Sequence, residues 1–363
     1  MGLTEKIKAI EEEMKKTQIH KHTEHHVGLL KAKLARLKAE QEEMQRSKRG
    51  GSGFELKKSG DCTVAIVGPP SVGKSTILNM LTGARSKVGS YAFTTTTVVP
   101  GVLEYRGAKI QILDLPGIIH GAASGGGRGK RVLSVIRNVD MIILVVDVFQ
   151  PRQVEMLKRE LYEVGIRLNA RPPNVSVERS HQGGLGIRST CRLTRLSKNT
   201  AKAILNIHGI HHGNVIIRED ISDDELIDAV VGNRIYLPAI SVLNKMDLVD
   251  QDYLVAVRRQ IGEDFIGISA CQGINLDVLK DTIYGRLNLI RVYLKPRNCE
   301  PDFSDPLILK AGATVSDVCA KIHRRLSDEA KYALVSGTSV KFSPQRVGMN
   351  HVIHDGDIVT IVT

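Results

Sequence analysis

Cys62-Thr63-Val64-Ala65-Ile66-Val67-Gly68-Pro69-Pro70-Ser71-Val72-Gly73-Lys74-Ser75-Thr76 is the stretch on which the fold turns. Its apolar, β-branched run, Val64 to Val67, stops at Gly68, and a helix-like stretch, Thr76 to Leu81, follows Gly73-Lys74-Ser75. Strand, glycine-bounded loop and helix in that order are the setting in which G-x-x-x-x-G-K-[ST] holds phosphate. Gly68 and Gly73 permit backbone angles and close approach that a Cβ forbids. Loop N–H groups and the helix N-terminus can then point at one anion. On this reading Gly68, Pro69, Pro70, Ser71, Val72, Gly73 and Thr76 wrap the phosphates. Lys74 reaches the β/γ-phosphates and the Ser75 hydroxyl binds Mg²⁺. An ordinary glycine-rich turn would not fill every fixed position in register with the right flanks, so the stretch reads as a nucleoside-triphosphate site.

The chain has 363 residues, room for two or three domains. It contains no Trp and only 4% aromatic residues, so its cores must be built from Ile, Val, Leu and Ala. No stretch approaches a membrane span, and the N-terminus is charged rather than signal-like. Cys62, Cys191, Cys271, Cys299 and Cys319 are scattered without a C-x-x-C pair, which points to reduced thiols and a cytoplasmic location with no membrane partner. A formal net charge of +12 favours polyanionic partners, RNA above all, over a merely solvated basic surface.

Residues 1–50 are rich in Lys, Glu, Ala and Leu and read as helical. Ile7, Ile10 and Met14 form one apolar stripe; Val27, Leu30, Leu34, Leu37 and Met44 form another at 3–4 spacing. The stripes fall out of phase near Thr17–His26, which predicts two helices or a hairpin rather than one rod. Lys31, Lys33, Arg36, Lys38, Arg46, Lys48 and Arg49 make the second helix basic, suited either to a ribosome or RNA contact or to a solvated face. His20, His22, His25 and His26 have metal-like spacing, but no Cys or carboxylate completes a closed site. Arg49-Gly50-Gly51-Ser52-Gly53 reads as a linker.

Beyond the phosphate loop, Thr94-Thr95-Thr96-Thr97 suits a segment that orders when a Thr hydroxyl meets Mg²⁺. The strand Lys109–Leu113 ends in Asp114-Leu115-Pro116-Gly117, which places a carboxylate beside the phosphate loop to hold the Mg²⁺ shell through water. Gly117 can turn its N–H onto a γ-phosphate, and the glycine-rich run Gly121–Gly129 reads as a switch segment. Asp140–Val146 and Ile235–Val242 are further buried strands, the latter running into Asn244-Lys245-Met246-Asp247. A carboxylate there can accept guanine N1–H and the 2-amino group together, donors that adenine lacks, and so rejects the wrong base. Asn244 would support the base edge, Lys245 pack over the ring, and Ser269-Ala270 offer a backbone N–H to guanine O6.

An insertion far longer than a helical crossover separates the strands near 147 and 237. Val175–Val177 and Val215–Ile217 alternate as strands, so it reads as a small α+β module. From Pro296 the composition changes again; Leu307–Leu309, Val315–Leu326, Ser339–Phe342 and Asp357–Val362 read as β, α, β and β of a β-grasp module. The expected division is a helical region and linker at 1–57, a nucleotide domain at 58–295 interrupted at about 165–236, and the β-grasp module at 296–363.

Gly68–Ser75, Thr94-Thr95, Asp114–Gly117, Asn244–Asp247 and Ser269-Ala270 resemble, in order, the five signature motifs of P-loop GTPases. Phe93-Thr94-Thr95 and Gly117-Ile118-Ile119-His120-Gly121-Ala122 resemble the Obg group. Thr23–Ala35 and the insertion resemble the developmentally regulated GTP-binding proteins, archaeal type, and Gly312–Val318 with His354–Asp357 resemble a TGS domain. The implied fold is α/β: a doubly wound P-loop GTPase domain with an N-terminal helical region, an inserted α+β module and a C-terminal β-grasp (TGS) domain.

The resemblance implies a GTPase that cycles between GTP and GDP with Mg²⁺ held by Ser75, Thr95 and, through water, Asp114. Lys74 and Gly117 bind phosphate and, with Thr95, carry catalysis, while Asn244, Lys245 and Asp247 read guanine. It also implies ribosomes or ribosomal RNA, translation factors and a small regulatory protein as partners of a monomer, since no sustained heptad argues for a coiled-coil dimer. Two positions depart from related enzymes. Ile118 stands where Ras-type enzymes place a water-orienting Gln, which predicts slow turnover. Ser71 stands where K⁺-using relatives place an Asn, so K⁺ is a second candidate ion without its usual ligand. The competing readings are an RNA- or ribosome-binding scaffold whose nucleotide is structural, favoured by Ile118 and the basic extensions, and an ATPase, disfavoured by Asp247.

Overall fold

Leu3–Lys16 (α1) and Glu24–Lys48 (α2) are the two helices that the out-of-phase stripes predict. Glu5 in the first turn of α1 accepts the Gly2 N–H at 2.9 Å, and Lys15 and Lys16 close its last turn, both complementing the helix dipole. A Lys38–Glu11 ion pair (3.0 Å) and a His26–Glu13 hydrogen bond (3.1 Å) hold α1 against α2 as a hairpin. The computed structural model describes residues 2–18, 20, 23–48, 60–83, 99–115, 135–261, 264–296, 299–323 and 325–363.

Cys62–Val67 (β1), buried along its whole length, leads through the phosphate loop into Lys74–Thr82 (α3). Val99–Tyr105 (β2) and Ala108–Asp114 (β3) form an antiparallel hairpin around Arg106-Gly107, whose φ values of 49° and 82° suit a two-residue turn that follows strand twist. Met141–Asp147 (β4), continuously buried from Met141 to Val146, and Gln153–Glu163 (α4) follow.

The insertion then begins. Ile166–Leu168 (β5), Val175–Arg179 (β6), Leu185–Ser189 (β7), Lys198–Ile207 (α5), Gly213–Ile217 (β8), Asp223–Val231 (α6) and Ile235–Leu237 (β9) succeed one another. β8 lies between β6 (antiparallel) and β7 (parallel), and β5 pairs with β9. Ser197 caps α5, and Ser222 with Glu225 forms a capping box at α6. Val215 and Ile217 pack with Ile204, Leu205, Leu226 and Ile227 in one core, and Ala32 of α2 belongs to that same core. Lys31 reaches Asp224 (2.8 Å), His25 Nδ1 pairs with the Thr200 hydroxyl (2.9 Å), and Arg36 donates to the Ile207 carbonyl (2.7 Å). Asp228, almost fully buried, binds Arg167 through two hydrogen bonds (2.5 and 2.8 Å) and Arg234 through a third (2.8 Å). Met1–Phe54 and Gly165–Tyr236 are accordingly one compact unit, and Glu55–Val164 with Leu237–Thr363 the other. Hairpin and insertion share a core although the sequence keeps them far apart.

In the second unit Ala239–Asn244 (β10), a 3₁₀ turn at Met246–Leu248, Gln251–Ile261 (α7), Ile266–Gly267 (β11) and Leu276–Leu287 (α8) complete the nucleotide domain. Pro238, with no N–H for a ladder, divides the expected single strand Ile235–Val242 into β9 and β10. The six-stranded sheet has the order β11-β10-β4-β1-β3-β2, parallel except for β2. Ile77 and Leu81 of α3 and Leu279 and Ile283 of α8 pack on Val64, Ile66, Ile110 and Ile112. The strand order reverses at β1, the switch point where open α/β sheets bind ligands.

Leu289–Leu294 (β12), Leu307–Lys310 (β13), Val315–Ile322 (α9), Leu326–Glu329 (α10), Tyr332–Ser336 (β14), Gln345–Val347 (β15) and Ile358–Val362 (β16) form the β-grasp module, with strand order β13-β12-β16-β14-β15. Two expectations are corrected here. The module's sheet starts at Leu289, not after Pro296, because α8 passes into β12 through Asn288 alone, with no linker composition to mark a boundary. Ser339–Phe342 is a loop rather than a strand: Gln345 Oε1 accepts the Lys341 and Phe342 N–H groups (3.1 and 3.3 Å), which a strand would offer to a neighbour. Fully buried Asp357 ties the module together by accepting from Thr338 N–H (2.8 Å) and His354 N–H (2.9 Å). Lys310 meets Asp140 (2.7 Å) and Lys321 meets Asp61 (3.3 Å), pinning the module to the nucleotide domain.

Candidate functional site

The phosphate loop leaves β1 at Gly68, where a Cβ would collide with the Val145 carbonyl of β4. Gly73 sits at φ 91°, and a Cβ there would strike the Asn244 side-chain amide. Both glycines are therefore required by close approach, Gly73 also by its dihedral. Lys74 opens α3, is only 8% exposed, and donates from Nζ to the Pro69 carbonyl at 2.6 Å across the loop. Burial pushes its pKa below the usual lysine value, opposed by the charge of Asp114.

Ser75, one residue further, donates its hydroxyl to Asp114 Oδ2 at 2.5 Å. Asp114 sits at the C-terminal end of β3, and its other oxygen, Oδ1, is buried without a hydrogen-bond partner among the described residues. A buried carboxylate oxygen with an open lone pair beside a serine hydroxyl is a donor set for a hard divalent cation.

Asn244 ends β10, the strand two places from β1. Its Nδ2 donates to the Val72 carbonyl in the phosphate loop (2.8 Å), and its Oδ1 accepts the Ala270 N–H (3.0 Å). Asn244 thus joins the phosphate loop to the loop after β11 and keeps a second amide N–H and a second oxygen lone pair. Lys245, at φ 68°, turns the chain into the 3₁₀ segment that carries Asp247. No hydrogen bond reaches the Asp247 carboxylate among the described residues, which leaves both oxygens able to accept. Ser269 N–H is given to Ile274 O (3.2 Å) and Ala270 N–H to Asn244 Oδ1 (3.0 Å). Cys271 N–H meets no acceptor among the described residues.

Asp147, which the sequence reading passed over, ends β4 directly opposite Asn244 and accepts the Lys245 ammonium at 2.6 Å. Its only sequence signal was a carboxylate at the end of a buried strand. The expected site residues Thr95 and Gly117, with Thr94, Ile118 and the run Gly121–Gly129, lie outside the described residues.

In the N-terminal histidine cluster His20 bonds Gln18, His25 bonds Thr200 and His26 bonds Glu13, while His22 lies outside the described residues. No group of three metal-ligating side chains occurs among the described residues, and none of the described helices is long and apolar enough to cross a membrane.

Residues 63–179 match the family model described as a 50S ribosome-binding GTPase, 182–289 the C-terminal region of that domain, and 290–363 the TGS domain. The chain is 52% identical over 365 residues to a GTP-binding protein of Methanocaldococcus jannaschii, covering 100% of this chain and 93% of that protein. It is 46% identical over 364 residues to the developmentally-regulated GTP-binding protein 2 of Homo sapiens, with 100% of each covered. With GTP-binding protein 1 of Schizosaccharomyces pombe it shares 47% over 365 residues, again with 100% of each covered.

Proposed function

The chain belongs to the family of developmentally regulated GTP-binding proteins, P-loop GTPases with a TGS domain, and from that premise we propose a slow guanine-nucleotide switch that hydrolyses GTP with Mg²⁺ and engages the ribosome. One observation carries the nucleotide part. The Asn244 amide is bonded at once to Val72 of the phosphate loop and to Ala270 of the base-side loop, so phosphate cradle and Asn244–Asp247 form one cleft.

Guanine is favoured over adenine because Asp247 keeps two acceptors for N1–H and the 2-amino group, a pairing whose loss rejects the wrong base strongly. Cys271 N–H, next to Ser269-Ala270, is a further backbone donor for guanine O6. The Lys74 ammonium, which donates to Pro69 O, would exchange that carbonyl for the β/γ-phosphate oxygens. An anion there restores the charge environment that burial withdraws from Lys74. Ser75 offers a hydroxyl oxygen for Mg²⁺ and Asp114 a carboxylate for a water of its shell, with Thr95 the other expected ligand, and the ion would neutralise charge on the β- and γ-oxygens. Catalysis is then positioning and electrostatics: Lys74, loop N–H groups and Gly117 stabilise the charge that develops toward the leaving oxygen. Ile118 is apolar and cannot orient the attacking water, so turnover waits on a partner.

The ribosome is supported by the net charge of +12 and by the 50S ribosome-binding description of the matched family. A translation factor or small regulatory protein would supply the missing activation. The test is co-sedimentation with ribosomes at moderate salt under a non-hydrolysable GTP analogue, GDP or no nucleotide, with Asp247→Asn in parallel. GTP-dependent binding that the variant loses is expected. Equal binding in every state would replace the switch with a scaffold docked by its basic surface, and no binding in any state would remove the ribosome as partner.

A further inference from the structure

Asp147 makes no hydrogen bond to the phosphate loop or to Asp247 among the described residues, yet it is held by several others. Its Oδ1 accepts Phe149 N–H (3.0 Å), its carbonyl accepts Gln150 N–H (2.9 Å), and the next N–H, Val148, is given to Asn244 O (3.1 Å). Against this anchor its Oδ2 holds the Lys245 ammonium at 2.6 Å, a charge-assisted hydrogen bond in a partly buried setting. Lys245 is thereby held at both ends, by the left-handed backbone turn and by the ion pair at Nζ. A free lysine would sample many rotamers and lose them on packing over a base; this one has lost them beforehand.

We propose that Asp147 is a positioning residue for the guanine nucleotide, stretching the Lys245 stem into the wall on which the purine ring stacks. The inference rests on the reading of Asn244–Asp247 as the base site and deepens it. The stem meets the ring, which GDP and IDP share, whereas Asp247 meets the 2-amino group, which IDP lacks. Loss of Asp147 must therefore weaken GDP and IDP by one common factor, while loss of Asp247 must change their ratio.

The experiment measures dissociation of fluorescent GDP and IDP from the full chain carrying Asp147→Asn, Lys245→Met, or both, with melting temperature alongside. Asp147→Asn keeps the side-chain size and an acceptor for Phe149 N–H but removes the charge that holds Lys245. Dissociation of both nucleotides should quicken about three- to tenfold, with the GDP/IDP ratio unchanged. In the Lys245→Met chain, whose stem cannot bond Asp147, the second substitution should add nothing. Unchanged rates in Asp147→Asn, a shifted GDP/IDP ratio, or additive losses in the double variant would each overturn the proposal, as would a lowered melting temperature with wild-type rates. If the wild-type chain binds no GDP, the base-site reading fails and this inference with it; if it binds and the Asp147 variant behaves as wild type, only the inference fails.

Discussion

The Ser75 hydroxyl and the Asp114 carboxylate, 39 residues apart in sequence, meet at 2.5 Å where the first turn of α3 faces the C-terminal end of β3, with Asp114 Oδ1 left buried and unpaired among the described residues. An unpaired buried carboxylate oxygen is costly unless a cation completes it. Removing Mg²⁺ with EDTA should therefore speed GDP release from the wild-type chain. Asp114→Ala should release GDP at one fast rate with or without the ion. A wild-type rate indifferent to EDTA would mean that the Ser75–Asp114 pair holds no metal.

Gly73→Ala should abolish nucleotide binding, because the left-handed φ of 91° and the collision with the Asn244 amide act together. The strain alone is of order 1–3 kcal/mol. Titration with a fluorescent GDP checks this, and retained binding would show that the loop can reshape around a Cβ.

Asp228→Ala removes the carboxylate shared by the buried Arg167 and the half-buried Arg234 guanidiniums. Breaking a buried pair from one side costs about 3–5 kcal/mol. Chemical denaturation should show the loss as a lowered midpoint, and hydrogen exchange should place it in the unit of Met1–Phe54 and Gly165–Tyr236 rather than in the nucleotide domain.

Cysteine alkylation should divide the thiols by site. Burial, with Asp140 nearby, pushes the Cys62 thiol up to about 11, so it stays protonated and shielded at pH 8, and Cys319 is likewise buried. Cys271 and Cys299 are exposed and should react first, as mass spectrometry of an iodoacetamide time course would show. Equal labelling of Cys62 would mean that β1 opens in the native state.

The nucleotide cleft was legible because its motifs are local. Gly68–Ser75 and Asn244–Asp247 carry their geometry in fixed short spacing, and the flanking strands announce themselves by unbroken burial. Asp147 was not legible, since a carboxylate ending a strand reads as a turn residue until β10 brings Lys245 beside it. Periodicity likewise gave the apolar stripe of α2 without its partner, because a stripe states only which face is buried. The start of the β-grasp sheet escaped for the opposite reason: Leu289–Leu294 is as apolar as the helix before it, so composition changes only after the boundary. Ser-Val-Lys-Phe at 339–342 alternates as a strand should, but the side chain of Gln345 takes its backbone donors.

The shared core of α2 with α5 and α6 has a consequence for how the protein is made. Translation releases α2 by Lys48, but the last helix it packs against ends only at Val231. At roughly 5–20 residues per second that interval is on the order of ten seconds or more. Throughout it Ala32 lacks the insertion core in which it is buried, and a lone helical hairpin is marginal in water. The hairpin is therefore made well before the surface on which it finally docks. A stop or pause within the nucleotide domain would leave this greasy, basic hairpin dangling where nascent-chain chaperones can reach it.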